Sequence, residues 1–473
     1  MIRLILSLLL ISLTPLIAAN TETEAGLPTT NACRIKVSVA GFEGGECKFL
    51  GVNGKQNFLA LPAMNIEGEE ILISREEKFP GGLYYLLFPN QQHIQMLLDA
   101  DQKFTLQTKL DDLVQSMQVT GSLDNQLLYR NLRYEETYRS AFEALTEQIK
   151  KAKDTGGDHE VLEKERDALV DKRQVHINEF ATNHPDSFFT VFKLAGQNPK
   201  LEHPKLPNGE IDTEKQLELY RAKFWDNVDF TDARLLRTPV FHNKLERFIK
   251  KLTPQRVDAV IASADAITTK TLGNKELFHY VTSYICLAYQ KSSMMGGEAV
   301  YVHMADNYLT HELAASIGAE ELKKARQQAN RFRPSLLGKT GQDIRARNPE
   351  DEYESLYDIT APITVLYIFN VDCEHCQEQT PQLLEVYEDW KDRGVDVFAL
   401  CTNQDIEQWR QYVREQNLPW HNVIDPKYES RYHAKYNVDI TPEIYVLNAD
   451  KEIVGMNLKA HQLEWLFNKE FSK

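Results

Sequence analysis

Ile363-Thr364-Val365-Leu366-Tyr367-Ile368-Phe369 is a nearly unbroken apolar run, and Asn370-Val371-Asp372 carries it directly into Cys373-Glu374-His375-Cys376. A short apolar run bounded by turn residues reads as a buried strand. Two cysteines three apart in the first turn of the helix that follows can close a small disulfide ring. The orphan N–H groups and positive dipole end of that helix stabilise the first sulfur as thiolate. The stretch therefore marks a dithiol–disulfide site. Pro381 falls inside the helical pattern, and Thr441-Pro442 precedes a second apolar run, Ile444-Tyr445-Val446-Leu447.

Around this stretch the chain alternates strand and helix. The order is strand 363–369, helix about 374–393, strand Val395 to Leu400, helix about 404–416, strand Glu443 to Leu447, strand Glu452 to Met456 and a helix near 460–470. Asn448-Ala449-Asp450-Lys451 supplies the hairpin turn. A βαβ start, an antiparallel hairpin and a closing helix form an α/β layout. Strand, C-x-x-C, proline-bearing helix and loop proline in this order resemble the thioredoxin superfamily, in particular its TlpA/ResA-like branch of envelope thiol–disulfide oxidoreductases. The resemblance covers roughly residues 335–473.

Cys373 is the expected nucleophile, because a thiol at a helix N-terminus drops to a pKa of roughly 3.5–7.5 from about 8.5. Cys376, one turn further in, is the expected resolving thiol, which attacks the mixed disulfide and releases the partner. The competing readings are a structural disulfide and half of a zinc site. Zinc needs two more ligands, and the chain has no second C-x-x-C and no histidines at ligand spacing. No metal and no cofactor are expected. His375 and Glu374 are the expected tuning residues. An imidazole near the thiolate would stabilise the reduced form and make the disulfide a better oxidant. Glu374 and Asp372 oppose that, or serve as helix caps.

The resemblance adds Thr441 and Pro442 as substrate-binding residues. It implies that Pro442 faces Cys373 through a cis bond, leaving the Thr441 backbone to pair with an extended partner segment. An ordinary edge-strand proline is the alternative. Two positions depart from the family pattern. Tyr367 stands six before Cys373, where relatives often carry a buried acid or amide, and a tyrosine titrates too high to shuttle protons there. Asp372 stands where relatives usually have tryptophan, which makes the surface beside the dithiol more polar. Asn370, three before Cys373, speaks against a peroxidase, since peroxiredoxins carry threonine at that position.

The chain has 473 residues, 42% of them hydrophobic, enough for two to four domains with real cores. A formal charge of −15 without a Lys/Arg-rich run speaks against nucleic-acid binding. Residues 1–19 read as a secretory signal peptide: Met1-Ile2-Arg3, an apolar stretch from Leu4, and small residues ending at Ala19. Six cysteines are too few for a disulfide scaffold. Cys33 and Cys47 could bridge one another, whereas Cys286 and Cys401 read as buried small hydrophobes. Gly338-Lys339-Thr340 lacks the spacing of a phosphate loop.

Three domains are expected after the leader. Residues 32–123 show period-two alternation between glycine- and asparagine-rich turns, the pattern of an all-β sandwich or small barrel. Residues 124–335 turn helical, opening with a long hairpin broken at Asp154-Thr155-Gly156-Gly157. Both parts resemble domains of unknown function found beside the redox domain in multidomain relatives. Residues 336–473 form the thioredoxin-like domain. The expectation is a multidomain, exported thiol–disulfide oxidoreductase of the periplasm or cell envelope, probing disulfides and thiols of exported proteins, most readily as a reductase. An unidentified redox protein would supply or accept its electrons, and a homo-oligomer stays open. The rivals are a disulfide oxidase or isomerase, and a non-catalytic envelope binding protein with a vestigial redox domain.

Overall fold

The computed structural model describes residues 32–314 and 317–472. The expected signal peptide, residues 1–19, lies outside them. Among the described residues nine strands come first: β1 (Cys33–Ala40), β2 (Gly44–Asn53), β3 (Gln56–Leu59), β4 (Met64–Glu67), β5 (Glu70–Arg75), β6 (Gly82–Leu87), β7 (His93–Leu98), β8 (Lys103–Lys109) and β9 (Gln118–Thr120). They build two sheets, β5-β1-β8-β9 and β3-β2-β6-β7, with β4 added along β2. Side chains of β1 alternate between buried and open positions, as the two-residue pleat requires. Ile35 and Val37 of one sheet share a core with Phe49 and Leu86 of the other. Cys33 and Cys47 are buried there as free thiols, unbridged.

The helical part comprises α1 (Leu123–Asp154), α2 (Glu160–Asn183), α3 (Phe188–Ala195), α4 (Thr213–Lys223), α5 (Pro239–Arg247), α6 (Val257–Thr271), α7 (Lys275–Gln290), α8 (Glu298–Asn307) and α9 (Ala319–Phe332). The start of α1 belongs to the β core, where Leu127, Leu128 and Tyr129 pack with Phe180, Phe188 and Phe189. Asn125 fixes this junction. Its amide takes the N–H of Leu97 at 2.9 Å and donates to the Leu97 carbonyl at 2.8 Å, completing β7 as a strand neighbour would. A second core, with Phe224, Trp225, Phe241, Phe248 and Ile285, fills the remaining helices.

The C-terminal part consists of β10 (Arg345–Arg347), β11 (Tyr353–Ser355), β12 (Ile363–Phe369), α10 (Glu374–Trp390), β13 (Val395–Cys401), α11 (Ile406–Glu415), β14 (His421–Ile424), α12 (Tyr432–Lys435), β15 (Glu443–Asn448), β16 (Ile453–Met456) and α13 (Leu463–Phe471). Its sheet runs β11-β10-β14-β13-β12-β15-β16. β12 is central, parallel to β13 and antiparallel to β15, and every one of its residues is buried. That is why its sequence is apolar throughout rather than alternating. Helix α10 buries Cys376, Thr380, Leu383, Val386 and Trp390, one face at helical spacing. The molecule is thus multidomain, with β sheets, then helices, then a thioredoxin-like α/β fold.

Candidate active site

The carboxyl ends of β12 and β13 lie side by side, where open α/β sheets place their functional loops. Residues 370–372 bridge the end of β12 to α10 and are held from both flanks. The Val371 N–H donates to Asn403 Oδ1 at 2.7 Å, and that of Asp372 to Asn370 Oδ1 at 2.8 Å. The Asp372 carboxylate accepts from Asn403 Nδ2 at 3.0 Å and Gln408 Nε2 at 2.7 Å. Asp372 is therefore tied to the β13–α11 side and does not cap α10.

Cys373 itself is the cap of α10. Its Sγ accepts the Cys376 N–H at 3.3 Å and lies 3.3 Å from the Thr441 carbonyl, to which its thiol can donate. The Thr441–Pro442 bond is cis, and the loop sets that carbonyl against the sulfur. Cys373, Cys376, Thr441 and Pro442 are thus brought together, with Cys373 partly open and Cys376 wholly buried. Burial works against ionisation of Cys373. Hydrogen bonds from the Cys376 thiol, the Cys376 backbone N–H, the Thr441 side-chain hydroxyl and the His375 backbone N–H outweigh it, so the thiol sits below its ordinary value. Burial, reinforced by the contact with Cys373, pushes Cys376 up to about 12. The two sulfurs divide into a reactive outer one and a protonated inner one.

Both expected tuning side chains lie elsewhere. His375 occupies an outward position in the first turn of α10, its ring 81% exposed and 3.6 Å from Glu378. Only its backbone N–H serves the sulfur, so an imidazole effect on the thiolate is not what this geometry offers. Glu374 is exposed in the same turn, a favourable place for an acid at the positive helix end. Tyr367, in the position of the acid, is fully buried and stacked on Phe369 at 5.1 Å. Its hydroxyl lies 2.9 Å from Thr380 Oγ1 and donates to the Cys376 carbonyl at 3.2 Å, and burial raises its pKa. It braces α10 and transfers no proton. Cys286 and Cys401 are buried, each pushed up to about 12 by burial.

Asn403 and Gln408 were not foreseen. The one available signal was position: Asn403 follows β13 at the edge where β12 ends. Among the described residues no cluster of three or more His, Cys, Asp or Glu side chains could hold a metal.

Comparison with known proteins finds matches in the central and C-terminal parts of the chain. Residues 337–456 match the AhpC/TSA family, and residues 162–333 match a domain of unknown function, DUF5106. The thiol-disulfide oxidoreductase ResA of Bacillus cereus is 23% identical over 137 residues, 28% of this chain and 78% of that protein. A thioredoxin-like protein from Bacteroides caccae, 18% identical, covers 57% of this chain and 99% of its own at a TM-score of 0.46. A domain of a "possible thiol-disulfide isomerase" from Cytophaga hutchinsonii is 30% identical, with 29% of this chain and 96% of that one covered at a TM-score of 0.28. By homology, the C-terminal domain of this chain belongs to the thioredoxin-like domains of the AhpC/TSA family, with ResA-like thiol–disulfide oxidoreductases among its homologues.

Proposed function

We propose that this chain is an exported thiol–disulfide oxidoreductase of the cell envelope that reduces disulfides of exported proteins. The observation that carries the reading is the asymmetry of the pair: a partly open Cys373 with a lowered pKa, above a buried, protonated Cys376. The Cys373 thiolate attacks one sulfur of a partner disulfide, forming the mixed disulfide and releasing a partner thiolate. Cys376 then gives its proton to that thiolate and attacks Cys373, expelling the second partner sulfur, which is protonated from solvent. The partner gains two electrons and two protons, and the chain is left as the Cys373–Cys376 disulfide. A donor dithiol protein must restore it. Thr441 offers its backbone to the partner's extended segment, with Pro442 behind it.

Export rests on residues 1–19. Among the described residues no helix is long and apolar enough to cross a membrane. The oxidase alternative drew on an imidazole beside the thiolate, and the exposed His375 ring removes that ground. A vestigial redox domain would bury its outer cysteine, whereas Cys373 is partly open.

The test is trapping. Cys376→Ser should accumulate mixed disulfides with envelope proteins, resolved by dithiothreitol, and Cys373→Ser should abolish trapping and insulin reduction alike. Equal trapping by the two variants would overturn the division of labour, and no trapping by either would overturn the reading.

A further inference from the structure

Between the end of α4 and α6 the helical region holds a cavity of about 420 Å³, within the size range of small-molecule sites. Its back wall is aromatic. Trp225 is 6% exposed and stands at the centre, with the ring centres of Phe230 and Phe248 each 5.5 Å away. Ile267 of α6 adds to the apolar lining, and the exposed residues Asp226 and Lys270 leave the rim open to solvent.

Two cations line the same cavity. The Arg221 guanidinium lies 5.5 Å from the Phe248 ring centre, and Lys270 Nζ lies 5.8 Å from that of Phe230. Among the described residues no carboxylate forms an ion pair with either. Arg221 is instead held by a hydroxyl: its Nη2 donates to Ser263 Oγ at 2.8 Å. Ser263 and Thr253 are both buried, with their oxygens 2.9 Å apart, and Thr253 Oγ1 reaches the Phe248 carbonyl at 2.8 Å. Phe248 opens a π-helical turn, Phe248–Leu252, a rare geometry that is frequent at functional sites. One buried network therefore fixes both the turn that supplies an aromatic wall and the arginine that stands beside it. A guanidinium offers five donors, and Arg221 uses one of them on the protein while burial pulls its pKa below the ordinary value. Asp226 is the one carboxylate among the described lining residues, and it acts on Lys223, outside the cavity. The lining is thus net positive in a chain whose formal charge is −15.

We infer that this cavity binds a small amphipathic carboxylate, its apolar body against Trp225, Phe230 and Phe248 and its carboxylate on Arg221, within the field of Lys270. A planar carboxylate matches the guanidinium fork with two parallel hydrogen bonds. The aromatic wall rewards an apolar body, which an inorganic anion lacks. An uncharged aromatic fills the wall but gives the arginine a weaker acceptor. The site lies within residues 162–333, the stretch matching the domain of unknown function, and stands whether or not the redox domain is a reductase.

Isothermal titration calorimetry of the full-length chain tests this with four probes: 3-phenylpropionate, its uncharged counterpart 3-phenylpropionamide, acetate, and the peptide Gly-Gly-Phe. 3-Phenylpropionate should bind at one site, about tenfold or more tighter than the amide, the share of one charge-assisted hydrogen bond. Acetate should give no binding heat, and the preference for acid over amide should shrink as salt rises. Lys270→Gln should reduce that preference, Arg221→Gln should abolish it, and Phe230→Ala should weaken acid and amide alike. Since Arg221 also fastens Ser263, a lowered urea midpoint in Arg221→Gln marks a folding defect, and the exposed Lys270→Gln then decides. The inference is overturned by no binding of 3-phenylpropionate at millimolar concentration, by equal affinity for acid and amide, or by acetate binding as tightly as 3-phenylpropionate. A preference that survives unchanged in the deciding variant overturns it too. Tighter binding of Gly-Gly-Phe would make the site a reader of polypeptide C-termini and overturn the assignment to a small carboxylate.

Discussion

His375 shows how one residue can reach the sulfur through its backbone while its ring stands apart from it. Its N–H is among the donors that lower the Cys373 pKa, and its ring stands in solvent. His375→Ala keeps the N–H and should leave the Cys373 pKa and the reduction potential unchanged. His375→Pro removes the donor. One hydrogen bond of about 1 kcal/mol corresponds to about 0.7 pKa unit and about 20 mV for a two-electron couple. The proline variant should thus have a higher Cys373 pKa and be more reducing by that amount, measured by pH-dependent alkylation and glutathione equilibration. Equal shifts in both variants would return the effect to the imidazole. Cys373 and Cys376 were legible in the sequence because the chemistry demands two cysteines at a fixed separation, and Thr441 and Pro442 only through the resemblance to the thioredoxin superfamily. Asn403 and Gln408 were not, because each becomes relevant only through neighbours distant in the chain. The outward turn of the His375 ring was not legible, because spacing says that a residue lies between two cysteines but not which way a first-turn side chain points.

Among the elements, β14 joins the C-terminal sheet through a charge clamp. His421 lies 3.0 Å from Glu354 of β11 and 3.4 Å from Asp396 of β13. The hydrogen bond to Asp396 leads, with Glu354 adding to it, and the imidazole is pushed up to about 9. Since this is above the ordinary 6.5, the clamp's stabilisation is complete below that value and is lost as pH rises through about 9. The ring is 42% exposed, so solvent screening limits the effect to about 1 kcal/mol. The stability difference between wild type and His421→Gln should therefore be about 1 kcal/mol at pH 6 and vanish by about pH 10. Urea unfolding followed by tryptophan fluorescence reads this domain, since Trp390, Trp409, Trp420 and Trp465 are four of the chain's five tryptophans. β14 itself escaped the sequence reading, as did β3 and α3. β14 has four residues, too few to show a period, and β3 is exposed throughout. α3, Phe-Phe-Thr-Val-Phe-Lys-Leu-Ala, has only eight residues, with Thr190 and Lys193 its only polar side chains, too short a stretch to show a helical repeat. The long elements α1, α2, α7 and α10 and the apolar β12 were readable because their apolar residues recur or run on over many positions, even though α2 buries only His176, Ile177 and Phe180.

At the scale of the molecule, the sandwich is fastened to the helical region by close backbone approach. Arg237 Nε donates to the Gly81 carbonyl at 2.8 Å, Arg234 pairs with Asp99 at 2.7 Å, and the Gly54 N–H donates to the Leu236 carbonyl at 2.8 Å. A methyl group at Gly82 would come within 2.8 Å of the Arg237 carbonyl oxygen, a contact that backbone must move to relieve. Gly82→Ala should cost about 1–3 kcal/mol through this overpacking, seen as faster proteolysis between the sandwich and α4 with Cys373 alkylation unchanged. If alkylation slows in parallel, the sandwich acts on the redox site.

All six cysteines lie among the described residues, and Cys373 alone is open while Cys33, Cys47, Cys286, Cys376 and Cys401 are shut in three separate cores. To a reagent too bulky for those interiors, the reduced, folded chain is a single-thiol protein. A maleimide dye or cross-linker finds one address on it, at the mouth of the redox site, and no native cysteine has to be removed first. Each core that opens adds its own sulfurs to the count, so the labelling stoichiometry during denaturation becomes a register of which part of the molecule has come undone.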